Sequence, residues 1–281
     1  MTTFIDPRSA PVGVFDSGIG GWSVLREIRR ELPAEPLLYV ADSAFAPYGD
    51  RAPADIAARV HAIAEFLIDR GAKALVVACN TATSAAVNSL RESHAIPIVA
   101  MEPAVKPAAA LTKSGVIGVL ATQRTVDSDQ LARLRENHGR EIAVLARPAP
   151  GLVECIEAGE FDSERLQGLI ERYVRPLLAS GADVLVLGCT HYPLIRALIE
   201  RVAGPGCVVI DPAPAVAREL RRRLAAANLL ADGGTVSPKV FTTGTADAMR
   251  ALLARLGEQT VSPVAVEIPA RRDERSGGAA A

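Results

Sequence analysis

The sequence predicts an α/β protein of two pseudo-symmetric lobes on mainly parallel sheets, with the active site in the cleft between them. Three observations carry this. Short apolar runs alternate with helical patterns along most of the chain. The clearest runs are rich in β-branched residues without polar alternation, as strands covered on both faces are. One segment also occurs twice: Gly71-Ala-Lys-Ala-Leu-Val-Val-Ala-Cys79-Asn80-Thr81 aligns without a gap on Gly181-Ala-Asp-Val-Leu-Val-Leu-Gly-Cys189-Thr190-His191. Upstream, Val12-Gly-Val-Phe-Asp-Ser17 matches Ile117-Gly-Val-Leu-Ala-Thr122. In each half a strand ending in a hydroxyl residue therefore precedes a strand ending in a cysteine. Two long copies argue for two similar lobes, where a solenoid would show many short ones.

The elements follow in order. Residues 12–15 read as a strand, and 20–32 as a helix with Val24, Leu25, Ile28 and Leu32 on one face. Residues 37–41 form a strand running into the turn-rich loop 42–49. A long helix spans 54–70, with Ile56, Val60, Ile63, Ala64 and Leu67 in register. After the first cysteine strand come a helix at 82–91 and a strand at 96–100. The second lobe starts near Met101, with a strand at 115–120, a helix at 125–137 and a strand at 142–146. The prolines at 148 and 150 break the chain before a short helix at 152–158, and Ser163 caps a helix running to 180. The second cysteine strand, a helix at 193–202 and a strand at 207–210 close this lobe. Asp211-Pro212 returns the chain to the first lobe, completed by 216–227, 239–242 and 245–256. The lobes are thus expected to take residues 1–100 with 211–270, and 101–210. The polar stretch 271–281 is expected to be a disordered tail.

Composition excludes several classes. The chain has 281 residues, 49% hydrophobic and 22% charged, enough for a real core. A net charge of −1 and 4% aromatics give no pull toward nucleic acid or anionic membrane. The first eleven residues lack the apolar core of a signal peptide, and no apolar run approaches a membrane span. Four cysteines are too few for a disulfide framework, so a reducing, cytoplasmic compartment is expected.

Cys79 and Cys189 are the main chemical candidates. A lone cysteine usually just fills space, the reading kept for Cys155 and Cys207. Matched cysteines at the carboxyl ends of two strands, each followed by polar donors, are different, because open α/β sheets bind ligands there. If the halves face each other, two thiols reach one pocket from opposite sides. One thiol could remove a proton from a carbon and the other return one to the opposite face. A free thiol titrates near about 8.5, so a base at neutral pH needs a lowered value. Both cysteines immediately precede predicted helices, whose N-termini would lower it.

Asn80, Thr81, Thr190 and His191 follow the thiols and could hold a small polar ligand, though Asn and Thr also cap helices. His191 could supply a proton or settle the charge of Cys189. The loop Asp16-Ser-Gly-Ile-Gly-Gly21 is neither a dinucleotide fingerprint nor a P-loop. Its free N–H groups suit a carboxylate, and Asp16 suits proton handling or an N-cap. A zinc site of Cys79, Cys189 and His191 is disfavoured by the absence of CxxC or clustered further ligands. No metal and no cofactor is expected; the lysines show no pyridoxal phosphate motif.

These residues resemble the glutamate racemase family of the aspartate/glutamate racemase superfamily. The matching strings are Gly13-Val-Phe-Asp-Ser-Gly-Ile-Gly-Gly21, Ala46-Pro-Tyr-Gly-Asp-Arg51, Val77-Ala-Cys-Asn-Thr-Ala-Thr83, Glu102-Pro-Ala-Val-Lys-Pro-Ala108 and Leu187-Gly-Cys-Thr-His-Tyr-Pro193, with weaker matches at Asp211-Pro212 and Phe241-Thr-Thr-Gly244. The resemblance implies cofactor-independent interconversion of L- and D-glutamate, feeding peptidoglycan synthesis. It implies that Cys79 and Cys189 are the opposed acid and base, the first acting on D-glutamate and the second on L-glutamate. Asp16, His191 and a helix glutamate, Glu157 or its neighbour Glu154, would assist. Substrate contacts would fall on Asp16, Ser17, Tyr48, Gly49, Asn80, Thr81, Thr190 and His191. The chain departs from the family's usual pattern at Ala121, at Trp22 and around residues 147–151. A homodimer is compatible with all of this. The rival readings are an aspartate or hydantoin racemase with the same two-cysteine plan, a cysteine-nucleophile amidohydrolase that needs only one thiol, and a non-catalytic amino-acid-binding protein.

Overall fold

Two all-parallel sheets organise residues 6–138 and 142–270, the part of the chain that this computed structural model describes. In the first half, β1 (Val12–Asp16) leads through a 3-10 turn into α1 (Trp22–Glu31), followed by β2 (Leu37–Ala41) and α2 (Pro53–Ile68). Next come β3 (Ala74–Val77), α3 (Asn80–Ser93), β4 (Ile98–Ala100) and α4 (Val105–Leu111). The second half runs β5 (Val116–Ala121), α5 (Gln123–Val126), α6 (Asp129–His138), β6 (Ala143–Pro148), α7 (Leu152–Glu157), α8 (Glu164–Ala179) and β7 (Val184–Gly188). A 3-10 turn at Tyr192–Ile195 then leads to α9 (Arg196–Ala203) and β8 (Val208–Ile210). The chain ends with α10 (Ala213–Ala226), β9 (Lys239–Thr242), α11 (Ala246–Arg255) and β10 (Val264–Ala265). The expected tail at 271–281 lies outside the described residues.

The sheet orders are β10-β9-β2-β1-β3-β4 and β6-β5-β7-β8. Superimposing β1 on β5 makes β2-β1-β3-β4 coincide with β6-β5-β7-β8, so the duplication in the sequence is a duplication of topology. Its packing is duplicated too. A Cβ on Gly13 would lie 3.0 Å from Leu67 and Leu75; one on Gly118 would lie 3.0 Å from Leu177 and 2.7 Å from Leu185. Those leucines are repeat equivalents. Each central strand uses glycine so that a helix of its own half, α2 or α8, can lie close against it. Both helices end on a left-handed glycine, Gly71 (φ +84°) and Gly181 (φ +90°), where any other residue would be strained.

Among the described residues, three apolar clusters fill the layers. One lies between the first sheet and α2–α3, and another between the second sheet and α4–α6. The largest is shared by both sheets: it runs from Val14 and Trp22 to Leu120, Leu187 and Tyr192, taking in faces of α1, α7, α8 and α10.

Some expectations change. The helix at 125–137 is two helices, because the Ser128 hydroxyl caps a fresh start by accepting from the Leu131 N–H (3.2 Å). The helices expected from residues 20 and 193 begin instead as 3-10 turns. Helix α4 and strand β10 were not expected at all.

Candidate active site

Strands β1, β3, β5 and β7 deliver the candidate residues at their carboxyl ends. Between β2 and β3 the chain order reverses across β1, creating the crevice in which such sheets bind ligands. Cys79 follows β3 and is the N-cap of α3, its sulfur accepting from the Ala82 N–H (3.5 Å). Its thiol reaches the Ser17 hydroxyl (3.8 Å) at the end of β1. Cys189 follows β7, and its sulfur lies 3.7 Å from His191 Nδ1. The other ring nitrogen of His191 sits 2.6 Å from Glu157 Oε1. Both thiols are nearly sealed, at 5% and 6% exposure.

Burial pushes the Cys79 thiol well above its ordinary value, and the neighbouring Asp16 and Cys189 charges push it further. The Ala82 N–H pulls the other way without winning. The lowering expected from the helix N-terminus is thus overridden by desolvation. Cys189 has no α-helix N-terminus directly behind it, because a 3-10 turn intervenes; its neighbour is a histidine. Burial alone would lower His191. Hydrogen bonds to Cys189 and Glu157, together with their charges, outweigh it and hold the imidazole well above its ordinary range. The site is therefore asymmetric: one thiol is kept protonated, and the other faces a cation.

The glycine loop meets a carboxylate, but one of the protein's own. Ile19 N–H donates to Glu157 Oε1 (2.8 Å), and Gly18 N–H to Asp16 Oδ2 (3.1 Å). A Cβ on Gly18 would fall 1.8 Å from Glu157 Oε1, and one on Gly20 2.4 Å from His191 Nδ1. These glycines let the loop of one lobe press against Glu157 and His191 of the other. Asp16 also accepts from the Thr190 hydroxyl (3.1 Å), whose backbone carbonyl accepts from Ser23 (3.0 Å). Burial raises the Asp16 carboxyl, against the opposing pull of His191. Of the two helix glutamates, Glu157 bonds to His191, whereas Glu154 is exposed.

Asn80 is 3% exposed, and neither of its amide atoms has a hydrogen-bond partner among the described residues. Leaving such groups unpaired costs about 1–3 kcal/mol each, so this amide is ready for a polar ligand. Thr81 meets Thr122 (3.0 Å) and Thr125 (3.5 Å) from the facing lobe. The Tyr48 hydroxyl donates to Asp42, a buried carboxylate also held by Arg59, so the loop at Tyr48–Gly49 is anchored from behind. The sequence reading did not single out Thr125 or Thr83, a buried hydroxyl without a partner. The repeat did mark Thr122, as the equivalent of Ser17. Cys155 is buried inside the apolar face of α7, and the half-exposed Cys207 is pushed up to about 11 by burial. Among the described residues, no three or more His, Cys, Asp or Glu side chains gather as a metal ion would require.

Known proteins resemble this chain over most of its length. Residues 12–220 match the model of the Asp/Glu/Hydantoin racemase family. The glutamate racemase of Pseudomonas paraeruginosa is 51% identical over 247 residues, covering 88% of this chain and 93% of that protein. The crystal structure of the glutamate racemase isoform RacE1 from Bacillus anthracis superimposes with a TM-score of 0.85 at 33% identity, over 94% of this chain and 100% of that one. The Escherichia coli glutamate racemase, solved with L-glutamate and the activator UDP-MurNAc-ala, gives a TM-score of 0.80 at 33% identity, over 92% and 99% of the two chains.

Proposed function

The chain belongs to the Asp/Glu/Hydantoin racemase family, and we propose that it interconverts L- and D-glutamate with two cysteines as acid and base. The observation that carries this is the placement of Cys79 and Cys189 at repeat-equivalent strand ends, one beside Ser17 and the other beside His191. In the L-to-D direction, the Cys189 thiolate takes the Cα proton of L-glutamate. The electron pair left on Cα delocalises into the α-carboxylate. The Cys79 thiol then delivers its proton to the opposite face, giving D-glutamate and a Cys79 thiolate. His191, held cationic by Glu157, provides the counter-charge for the Cys189 thiolate. Asp16, Ser17, Asn80, Thr81 and Thr190 hold the substrate's polar groups, together with the backbone at Tyr48–Gly49. Protons alone move, so the chemistry calls for no cofactor. In a reducing cytoplasm the product would supply D-glutamate for peptidoglycan.

Chiral chromatography of L-glutamate incubated with the purified, reduced protein tests the activity, with L-aspartate in parallel. D-glutamate alone is expected; D-aspartate alone would move the chain to a sister activity. Each Cys→Ser variant should lose about 10²–10⁴-fold in kcat/KM. Enantiomers have equal free energy, so the loss must be the same in both directions. In D₂O the variants should nevertheless differ. Cys79→Ser should wash deuterium into L-glutamate without inversion, and Cys189→Ser into D-glutamate. Full racemisation by either variant would overturn the two-thiol reading.

A further inference from the structure

We infer that Arg124, outside every motif named above, is a positioning residue that latches the mouth of the cleft shut over the substrate. The catalytic thiols are almost sealed, so an amino acid reaches them only if the lobes part. On one side the lobes are fused by a continuous apolar core, which parts reluctantly. The lobes also meet at two short lips. The lip of the first lobe is the turn Tyr48–Arg51, pinned to its own lobe by Arg51 Nε donating to the Phe45 carbonyl (2.6 Å) and by Arg59 stacked over the Phe45 ring (3.9 Å). The lip of the second lobe is the single turn of α5, capped by Thr122.

Arg124 spans the gap between them, one guanidinium NH₂ group donating to the Arg51 carbonyl (2.7 Å). Beside it the lips are in near contact, since a Cβ on Gly49 would sit 3.4 Å from Thr122. The same guanidinium keeps its Nε buried without a partner among the described residues. An unmet donor makes the closed state costly, and water would relieve it on opening. The latch is therefore poised rather than permanent. Holding the Arg51 carbonyl ties down the end of the short turn that begins at Tyr48.

The kinetic part of this inference rests on the racemase reading; the structural part does not. The test compares wild type with Arg124→Ala, Arg124→Gln and Arg124→Lys. Iodoacetamide labelling of Cys79 and Cys189 in the substrate-free, reduced protein, followed by peptide mass spectrometry, reports lobe opening directly. Loss of the latch should speed labelling about ten- to hundredfold, the effect of one charge-assisted hydrogen bond. The latch is shut in the free protein as well as over the substrate, so its loss should leave the KM for both enantiomers nearly unchanged. Arg124→Lys, which can still reach a carbonyl, should bring labelling part of the way back to wild type. Unchanged labelling would overturn the inference, as would equal acceleration at Cys155, fully buried in the shared core, the mark of general unfolding. If Arg124→Ala fails to fold, the Gln and Lys variants decide. If the wild type does not racemise glutamate, the functional reading fails while labelling still decides the latch.

Discussion

His191 illustrates how one side chain can make the two halves of a duplicated site unequal. Its ring joins Cys189 on one side to Glu157 on the other, and both partners favour the cation. Replacing it with Asn removes the counter-charge of the Cys189 thiolate. The kcat/KM should fall about 10²–10⁴-fold, equally in both directions. In the variant it should climb with pH, because the thiolate then forms without a neighbouring cation. A pH–rate profile parallel to that of the wild type would contradict this role. Stability follows the same linkage. A histidine whose folded value is raised contributes fully below its unfolded value of about 6.5, and the contribution fades as pH rises through the folded one. The stability gap between wild type and His191→Asn should therefore narrow as pH increases, a trend that urea denaturation across pH would read.

Among the elements, β7 has the least room to vary. The residue before the cysteine is Ala78 in the first repeat and Gly188 in the second. A Cβ on Gly188 would lie 2.8 Å from the Leu120 backbone carbonyl and 3.0 Å from the Ala121 Cβ, so β5 and β7 must shift to admit it. Gly188→Ala should cost about 1–3 kcal/mol and displace Cys189, lowering kcat. Urea denaturation with a chiral assay checks both, and a fully stable, fully active variant would show that the strands have slack. The strands carrying the cysteines were legible in the sequence because the repeat exposed them twice and their apolar runs are unbroken. By contrast, α4 is seven residues long, contains Pro107 and lacks a side-chain cap, so it sends no periodic signal. β10 has only two residues, too few to show alternation. The thiols, His191 and the Asp16 loop could be read as local strings. Arg124 and Thr125 could not, because their partners lie in the other half of the chain.

The two lobes share one core although each repeats the same plan. The largest apolar cluster crosses from α1 to α8 without a break, so neither sheet keeps its inner face covered if the other unfolds. Such continuity predicts a single cooperative transition rather than two. Trp22, the only tryptophan, makes this testable because it sits in the first lobe, edge-on to Tyr39 and donating to Glu258. Leu187 lies in β7 of the second lobe, fully buried in the shared cluster. Leu187→Ala should destabilise the protein by about 2–5 kcal/mol through lost contacts and the cavity left behind. Were the lobes independent, Trp22 fluorescence would keep its wild-type midpoint while far-UV circular dichroism developed an earlier phase. With a shared core, both signals must shift together to the same lower denaturant concentration. The coupling matters for the proposed two-thiol reaction as well. Two thiols on separate lobes keep a fixed spacing across one carbon only if the joined face is rigid, which leaves the lips at Arg51 and Arg124 as the place where the cleft can open.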